Sequence, residues 1–300
     1  MIYFVTVNYN GWQDTIKLID SLFGNPYTNY KIVVVDNCSS DDSVKRITKH
    51  LEDLRNKGNK TSFVIIEEDE IHSDLANIPT VTIVKSKING GFASGNNLAF
   101  DFLVKFKKKS ELIWLINNDT IITESTINNL LNYTSTITAE KFAIATKSLI
   151  MNSNNKIDSE GWGYLNLLNG KVRHSKKYFG FTLKYLIGSS IVINEILYMD
   201  SRFFLYFEDV DYSLKIKESG FKQFYCQDSV IYHKCNATAK KVTIVKQFKL
   251  DSQIYFYKKR YSYLLPIILF QRLSFYLLFF KKTEIKYLLN SIKKILIYGR

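Results

Sequence analysis

Glu208, Asp209 and Asp211 put three carboxylates within four residues, directly after the apolar run Phe203 to Phe207. Acids are seldom set against apolar surface without a cap, a partner or a task. One account is local: Glu208 and Asp209 open a helical pattern, where the helix dipole favours negative charge. The other is chemical: a carboxylate held ionised beside an apolar wall is suited to take a proton from an attacking hydroxyl. Polar residues also close several apolar runs. Asn8-Tyr9-Asn10 ends the first, Asp36-Asn37 the second and Asn117-Asn118-Asp119 a later one. Asp36 can accept the imide N–H of uracil or thymine, or it can cap the following helix. Asp119 can hold a divalent cation bridging a diphosphate, since Mg²⁺ takes a few carboxylates together with substrate phosphate oxygens. Asn-Asp-Thr is equally an ordinary turn. His233 is the only histidine that ends a strand-like run, and it is either structural or a metal ligand. No Ser/His or Cys/His pairing suggests a covalent nucleophile.

These residues need elements to carry them. "IYFVTVN", "KIVVVD", "TVTIVK" and "ELIWLIN" are short apolar runs of strand length, rich in β-branched and aromatic residues. Between them "DTIKLIDSLF", "SDDSVKRITKHLEDL" and "NNLAFDFLVKF" read as helices, with Ser39, Ser40 and Asp41 as N-cap candidates for the second. Alternation of this kind predicts a parallel sheet covered on both faces, with ligands beyond the carboxyl ends of its strands. "NGGFASGNN", Asn89 to Asn97, reads as a glycine-rich loop before a helix, without dinucleotide spacing. "EEDEIHSDLANIP" reads as an acidic surface excursion. Past Asn152 the alternation fades; "LIGSSIVI" reads as one buried strand and "DVDYSLKIKESG" as a helix closed by Gly220.

Composition narrows the class. Three hundred residues at 46% hydrophobic and 23% charged are globular in type. "MIYFVTVNYNGW" reads as a strand and not as a signal peptide. Cys38, Cys226 and Cys235 are odd in number and contain no CxxC pair, so they read as reduced thiols, with neither a disulfide framework nor a zinc site. The net charge of +13 is localised. From Lys240 to Arg300 there are 14 Lys/Arg against Asp251 and Glu284, whereas Met1 to Ala239 carries 27 basic and 26 acidic residues. A nearly neutral body argues against a nucleic-acid partner. A terminal basic block interleaved with aromatics points to an anionic membrane surface. "YSYLLPIILFQRLSFYLLFF" is interrupted by Pro266, Gln271 and Arg272. In "EIKYLLNSIKKILIYG", Ile285, Leu288, Leu289, Ile292 and Leu296 share one helical face, the pattern of a helix lying in the interface plane. An ordinary helical pair packed on the domain is the other reading.

Five ordered stretches, "VTVNYNGW", "VVVDNCSSDDS", "NGGFASGNN", "LIWLINNDT" and "FFLYFEDVDYSLKIKESGFK…VIYHK", resemble the family 2 glycosyltransferases, notably the rhamnosyltransferase-like branch. The resemblance covers about residues 1–240. It implies an α/β GT-A fold with a Rossmann-like mixed sheet over 1–239, divided into a nucleotide-sugar half (1–125) and an acceptor half (126–239). Residues 240–300 would then form a basic, amphipathic helical extension. It also implies inverting transfer from a UDP- or dTDP-sugar, rhamnose favoured, to a saccharide acceptor that is lipid-linked, as in bacterial surface polysaccharide such as capsule or O-antigen. The implied cofactor is Mg²⁺ or Mn²⁺, and the implied location is the inner face of the cytoplasmic membrane.

By position, Val7, Asn8, Tyr9, Asp36 and Asn118 resemble the family's nucleotide site, and Asn89, Phe92, Asn96 and Asn97 its donor loop. Asp119 matches the last acid of the D-x-D metal motif and His233 a histidine that some members add as a ligand. Asp209 matches the catalytic base, with Glu208 and Gly188 on the acceptor side. The first D-x-D position is Asn117, which removes one charge from the metal site. UDP-galactose, UDP-glucose and UDP-galactofuranose are alternative donors. A sugar-1-phosphate nucleotidylyltransferase is a further reading, but "VTVNYNGW" lacks the glycine- and arginine-rich phosphate loop. A non-catalytic saccharide- or membrane-binding module would bind no nucleoside diphosphate.

Overall fold

The computed structural model describes residues 1–58, 61–72, 77–174, 180–235 and 242–297. The first half runs β1 (Ile2–Asn8), α1 (Trp12–Phe23), β2 (Tyr30–Asp36), α2 (Ser43–Asn56), β3 (Phe63–Glu67), β4 (Val81–Lys85), α3 (Gly91–Leu103) and β5 (Leu112–Ile116). Strand and helix alternate as expected except at β3, an added strand that precedes β4 without an α-helix between them among the described residues. Each strand in the order β3-β4-β2-β1-β5 runs parallel to its neighbours. Successive side chains of a strand point to opposite faces, and here the two faces divide cleanly. Tyr3, Val5, Val33 and Val35 join one buried cluster with residues of α3, while Ile2, Phe4, Ile32 and Val34 join another with residues of α1 and α2.

The second half completes a mixed sheet. It contains β6 (Thr120–Ile122), α4 (Thr126–Thr134), β7 (Phe142–Ile150), β8 (Ile157–Ser159), β9 (Trp162–Asn166), β10 (Val172–Arg173), β11 (Thr182–Leu186), β12 (Ser190–Ile193), α5 (Glu208–Glu218) and β13 (Lys222–His233). The sheet continues from β5 in the order β12-β7-β13-β6, with β12 antiparallel to both its neighbours and β8 paired to β7. β10, β9 and β11 form a separate three-stranded antiparallel sheet.

Three local expectations change. "LIGSSIVI" is two strands in different sheets, because Ile187, Gly188 and Ser189 carry the chain from β11 to β12. The N-cap position of α2 is Asp42, not an earlier residue, and Asp41 instead receives the Ser43 N–H at 2.9 Å. The glycine-rich stretch is mostly helical, since α3 begins at Gly91. Of the acidic excursion, Glu68–Glu70 form a 3₁₀ turn, and residues 73–76 lie outside the described residues.

Two glycines let α3 begin so early. A Cβ at Gly95 would come within 2.8 Å of the Val7 side chain, so its absence lets the helix lie against β1. Gly91 has φ +82°, and a Cβ there would fall 2.0 Å from the backbone oxygen of Phe204, which accepts the Phe92 N–H at 3.1 Å. Gly91→Ala is therefore expected to destabilise the fold by at least ~2 kcal/mol, through left-handed strain and a backbone collision. A urea unfolding midpoint that does not move would show that α3 can start elsewhere.

The C-terminal helices α6 (Val242–Arg260), α7 (Leu265–Leu278) and α8 (Lys282–Ile292) pack against α5 and the small sheet. Ile254, Phe256 and Tyr257 of α6 are buried with Tyr185, Phe203, Phe207 and Val210. A charged latch closes the same contact. Asp211, 1% exposed, receives Lys259 Nζ at 2.8 Å and Arg260 Nε at 2.6 Å, and these cations also reach Asp200 and Glu218. α8 does not present the whole face expected of an interfacial helix. Leu288 and Ser291 are buried, and Ser291 bonds to Asp251 of α6. Leu289 and Leu296 of that face stay exposed, and a further exposed apolar surface lies on α7 and the turn after it, at Phe270, Leu277, Leu278, Phe279 and Phe280. Among the described residues, no helix is long and apolar enough to cross a membrane.

Candidate active site

The parallel register sets Asn8 beside Asp36 at the carboxyl ends of β1 and β2. Both side chains are buried and joined. Asn8 Nδ2 donates to Asp36 Oδ1 at 2.7 Å, while Thr15 Oγ1 donates to Asn8 Oδ1 at 2.8 Å. Asp36 also receives the Ser39 hydroxyl at 2.6 Å and the Ser39 N–H at 3.0 Å. Asp36 thus organises the turn into α2 and still retains acceptor capacity, since a carboxylate offers about four lone-pair sites. Tyr9, the next residue after Asn8, is 45% exposed at this edge. A groove of about 820 Å³ runs from Asp36 and Ser39 along α2, and none of the proposed catalytic residues lines it.

Asn37 connects this corner to α3. Its amide donates to Asn89 Oδ1 at 2.9 Å and to the Gly91 carbonyl at 3.1 Å. The other predicted loop residues divide by role. Asn96 is buried and donates to the Phe92 carbonyl one turn earlier in its own helix. Asn97 exchanges two hydrogen bonds with the Met199 backbone, tying α3 to the segment that leads into α5. Phe92, in the first turn of α3, is partly buried against the core.

Beyond β5, Asn118 turns to Thr15, while Asn117 and Asp119 share one partner, His233. Asn118 Nδ2 donates to Thr15 Oγ1 at 3.1 Å, and Asn117 Nδ2 lies 3.5 Å from His233 Nε2. Asp119 Oδ1 lies 3.2 Å from the same nitrogen, while Asp158 Oδ2 lies 3.0 Å from His233 Nδ1. Burial disfavours charge on the imidazole, but hydrogen bonds and charge from Asp119 and Asp158 outweigh it and push the His233 pKa up to about 9. Asp158 is held below its ordinary value, because the bonds and charge of His233 and the bonds from Cys235 and Ser148 exceed its burial cost. Asp119 Oδ1 and His233 Nε2 could offer one carboxylate and one imidazole to a divalent cation. One carboxylate and one imidazole, the latter oriented through its second nitrogen by Asp158, fit an ion that completes its shell with phosphate oxygens and water.

The acids before α5 occupy a different environment. Tyr206 and Phe207 have φ of +67° and +64°, two consecutive non-glycine residues in the left-handed region. This bend delivers Glu208 and Asp209 to the first turn of α5. Asp209 Oδ2 accepts the Gly188 N–H at 3.3 Å, and a Cβ at Gly188 would sit 3.1 Å from Asp209 Cβ. Glu208 Oε2 is buried and has no hydrogen-bond partner among the described residues. Burial raises the pKa of both carboxyls. The Asp209 charge adds to the effect on Glu208, while His174 and the Gly188 and Val210 N–H groups partly oppose it on Asp209. Asp211, the third acid of the opening motif, is committed to the α6 latch and faces away from this role.

One short connection relates the two acidic corners. The Ser189 carbonyl accepts the Asn117 N–H at 3.1 Å, and the preceding residue, Gly188, donates to Asp209. The Phe204 carbonyl likewise ties the aromatic run to α3. Sequence reasoning missed Thr15, Asn37, Ser39, Asp158 and Cys235 as members of these networks. Asn37 and Ser39 stood within a quoted motif. Asp158 gave no signal, because the β7–β8 pairing alone brings it to His233.

Residues 3–140, a little under half of the chain, match the family model for glycosyl transferase family 2. No curated protein sequence matches the chain. Solved structures with similar folds include TarS 1–349 from S. aureus in complex with UDP. It is 16% identical over 89% of this chain and 69% of that one, with a TM-score of 0.51. The mannosyltransferase PcManGT from Pyrobaculum calidifontis, in complex with GDP-Man and Mn²⁺, is 13% identical over 100% of this chain and 76% of its own, at a TM-score of 0.54. GalNAc-T7 with UDP, GalNAc and Mn²⁺ is 14% identical over 86% and 49%, at 0.58. Against a longer form of TarS, this chain spans 39% of the length. At such identities the likeness establishes the fold, a mixed α/β architecture of the GT-A type.

Proposed function

We propose that this chain, a glycosyltransferase by its matched N-terminal domain, moves a sugar with inversion from a UDP- or dTDP-sugar to the hydroxyl of a saccharide acceptor. The observation that carries the reading is the link from Asn117 through Ser189 and Gly188 to Asp209, which relates the cation corner to an acid beside an apolar wall. In this mechanism the acceptor oxygen attacks the anomeric carbon from the face opposite the diphosphate. Asp209 takes the proton from that oxygen, and the bond from the anomeric carbon to the diphosphate breaks with its electron pair leaving on the nucleotide. Asp119 and His233 would hold the cation. When bound, Mg²⁺ or Mn²⁺ offsets negative charge on the departing diphosphate. The unused acceptor capacity of Asp36 is available to a uracil or thymine imide, with Val7, Asn8, Tyr9 and Asn118 shaping the nucleotide side and Asn89, Phe92, Asn96 and Asn97 building the donor loop. The unpartnered Glu208 oxygen suits an acceptor hydroxyl, and Gly188 leaves room beside Asp209.

The finer assignments follow from the resemblance and from the surface. Rhamnose is the favoured sugar and a lipid-linked saccharide the favoured acceptor, with galactose, glucose and galactofuranose donors as alternatives. The exposed aromatics of Phe279 and Phe280, followed by Lys281 and Lys282, suit peripheral contact with an anionic membrane at its cytoplasmic face. A donor panel tests the function. Nucleotide release with Mn²⁺ is expected from a UDP- or dTDP-sugar, and thermal stabilisation by UDP or dTDP is expected to disappear in Asp36→Ala. Stabilisation by neither nucleotide would overturn the reading.

A further inference from the structure

His233 presents its two ring nitrogens to different neighbours. Nε2 faces Asp119, and Nδ1 faces Asp158 Oδ2 at 3.0 Å and Cys235 Sγ at 3.5 Å. The ligand-type atoms of Asp158, His233 and Cys235 all lie within 4.8 Å of one another. A tetrahedral zinc ion, with Zn–N of ~2.0 Å and Zn–S of ~2.3 Å, separates its nitrogen and sulfur ligands by about 3.5 Å and its nitrogen and oxygen ligands by about 3.3 Å. The observed spacings are close to both values. Mg²⁺ by contrast demands an oxygen-rich octahedral shell, and softer thiolate donors select zinc-like ions. The backbone contributes as well. Cys235 stands two residues past His233 in the left-handed region, φ +52°, a conformation that a non-glycine residue holds at some cost.

We propose that Asp158, His233 and Cys235 form a binding site for a thiophilic divalent cation, zinc foremost, on the side of the imidazole away from Asp119. Three protein ligands leave a fourth position for water. The site also has a consequence for the active site. A cation on Nδ1 leaves the ring proton on Nε2, where it donates to Asp119 Oδ1 and no lone pair remains for a cation at Asp119. The two cation positions therefore compete for one imidazole, and zinc antagonises the Asp119 ion by linkage. Only this antagonism rests on the transferase reading; the zinc site stands apart from it.

Cobalt titration of the reduced full-length chain under anaerobic conditions tests the site, because a tetrahedral cobalt thiolate gives a sulfur-to-metal charge-transfer band. One equivalent of Co²⁺ is expected to produce the band and one equivalent of Zn²⁺ to remove it. Cys235→Ser is expected to abolish it, and Asp158→Asn to weaken zinc at least ~10-fold. Asp119→Asn and Cys38→Ser are expected to keep it. As a measurement on the unaltered chain, zinc is expected to protect Cys235 from alkylation, read by peptide mass spectrometry. No charge-transfer band, a band that survives Cys235→Ser, a band lost in Cys38→Ser, or unchanged alkylation of Cys235 would each overturn the proposal. If nucleoside diphosphates bind but cobalt gives no band, the zinc site fails and the transferase reading stands.

Discussion

Replacing Asp209 by Asn is expected to lower sugar transfer by about 10²–10⁴-fold while donor nucleotide still binds. The substitution keeps the size of the side chain and its capacity to accept the Gly188 N–H, so the first turn of α5 should hold its place. What disappears is the group able to take a proton. The pH profile gives a second readout. Burial raises the Asp209 carboxyl, and a base works only when ionised, so the rate should climb with pH through a limb lying above the ordinary carboxylate range. In Asp209→Asn that limb should vanish with the activity. Near-normal turnover, or an unchanged acid limb, would assign the proton to another group.

Asp211→Ala is expected to cost about 3 kcal/mol, the lower end of the range for breaking a buried ion pair. Asp211 is almost fully buried and is shared by Lys259 and Arg260. The estimate stays at the lower end because those cations keep Asp200 and Glu218 as partners. Chemical unfolding of the full chain measures the effect. A loss below ~1 kcal/mol would mean that the apolar packing of Ile254, Phe256 and Tyr257 secures α6 without the charges. This motif thus separates into two tasks. Asp209 faces Gly188, and Asp211, two residues later, fastens the C-terminal helices.

The order and type of the first elements were legible because strands buried on both faces leave uninterrupted apolar runs. β1 ends at Asn8 and β2 at Asp36, the residues where the apolar pattern stops. The start of α3 was not legible. Glycine disfavours helix, so Gly91 and Gly95 looked like loop, whereas close approach to Val7 and Phe204 is what demands them. The split of "LIGSSIVI" was hidden for a similar reason, since an apolar run carries no mark of a change of sheet. The periodicity of α8 was read as an interfacial face, with a helical pair packed on the domain as the other reading, because a stripe has the same spacing whether its partner is lipid or α6. Leu288 is buried, while Leu289 and Leu296 are exposed. Asp158 and Cys235 show the limit most clearly. Ligand spacing rules detect sites built from one short segment, and these residues meet only because β7 brings β8 alongside β13. An odd cysteine count with no CxxC therefore said little about whether one thiol sits beside an imidazole.

The paired positive φ values at Tyr206 and Phe207 set how freely the neighbouring acids can wander. Each such residue carries a penalty of about 1–2 kcal/mol, opposed here by the burial of Phe207 against Phe256, with ring centroids 5.4 Å apart. Between the left- and right-handed wells lies a sterically forbidden gap, so the bend cannot relax by small steps. The helix start is consequently all-or-none, either fully seated or fully released. Aim at this corner is digital, enforced by an excluded zone of backbone torsion and needing no additional contact to sharpen it.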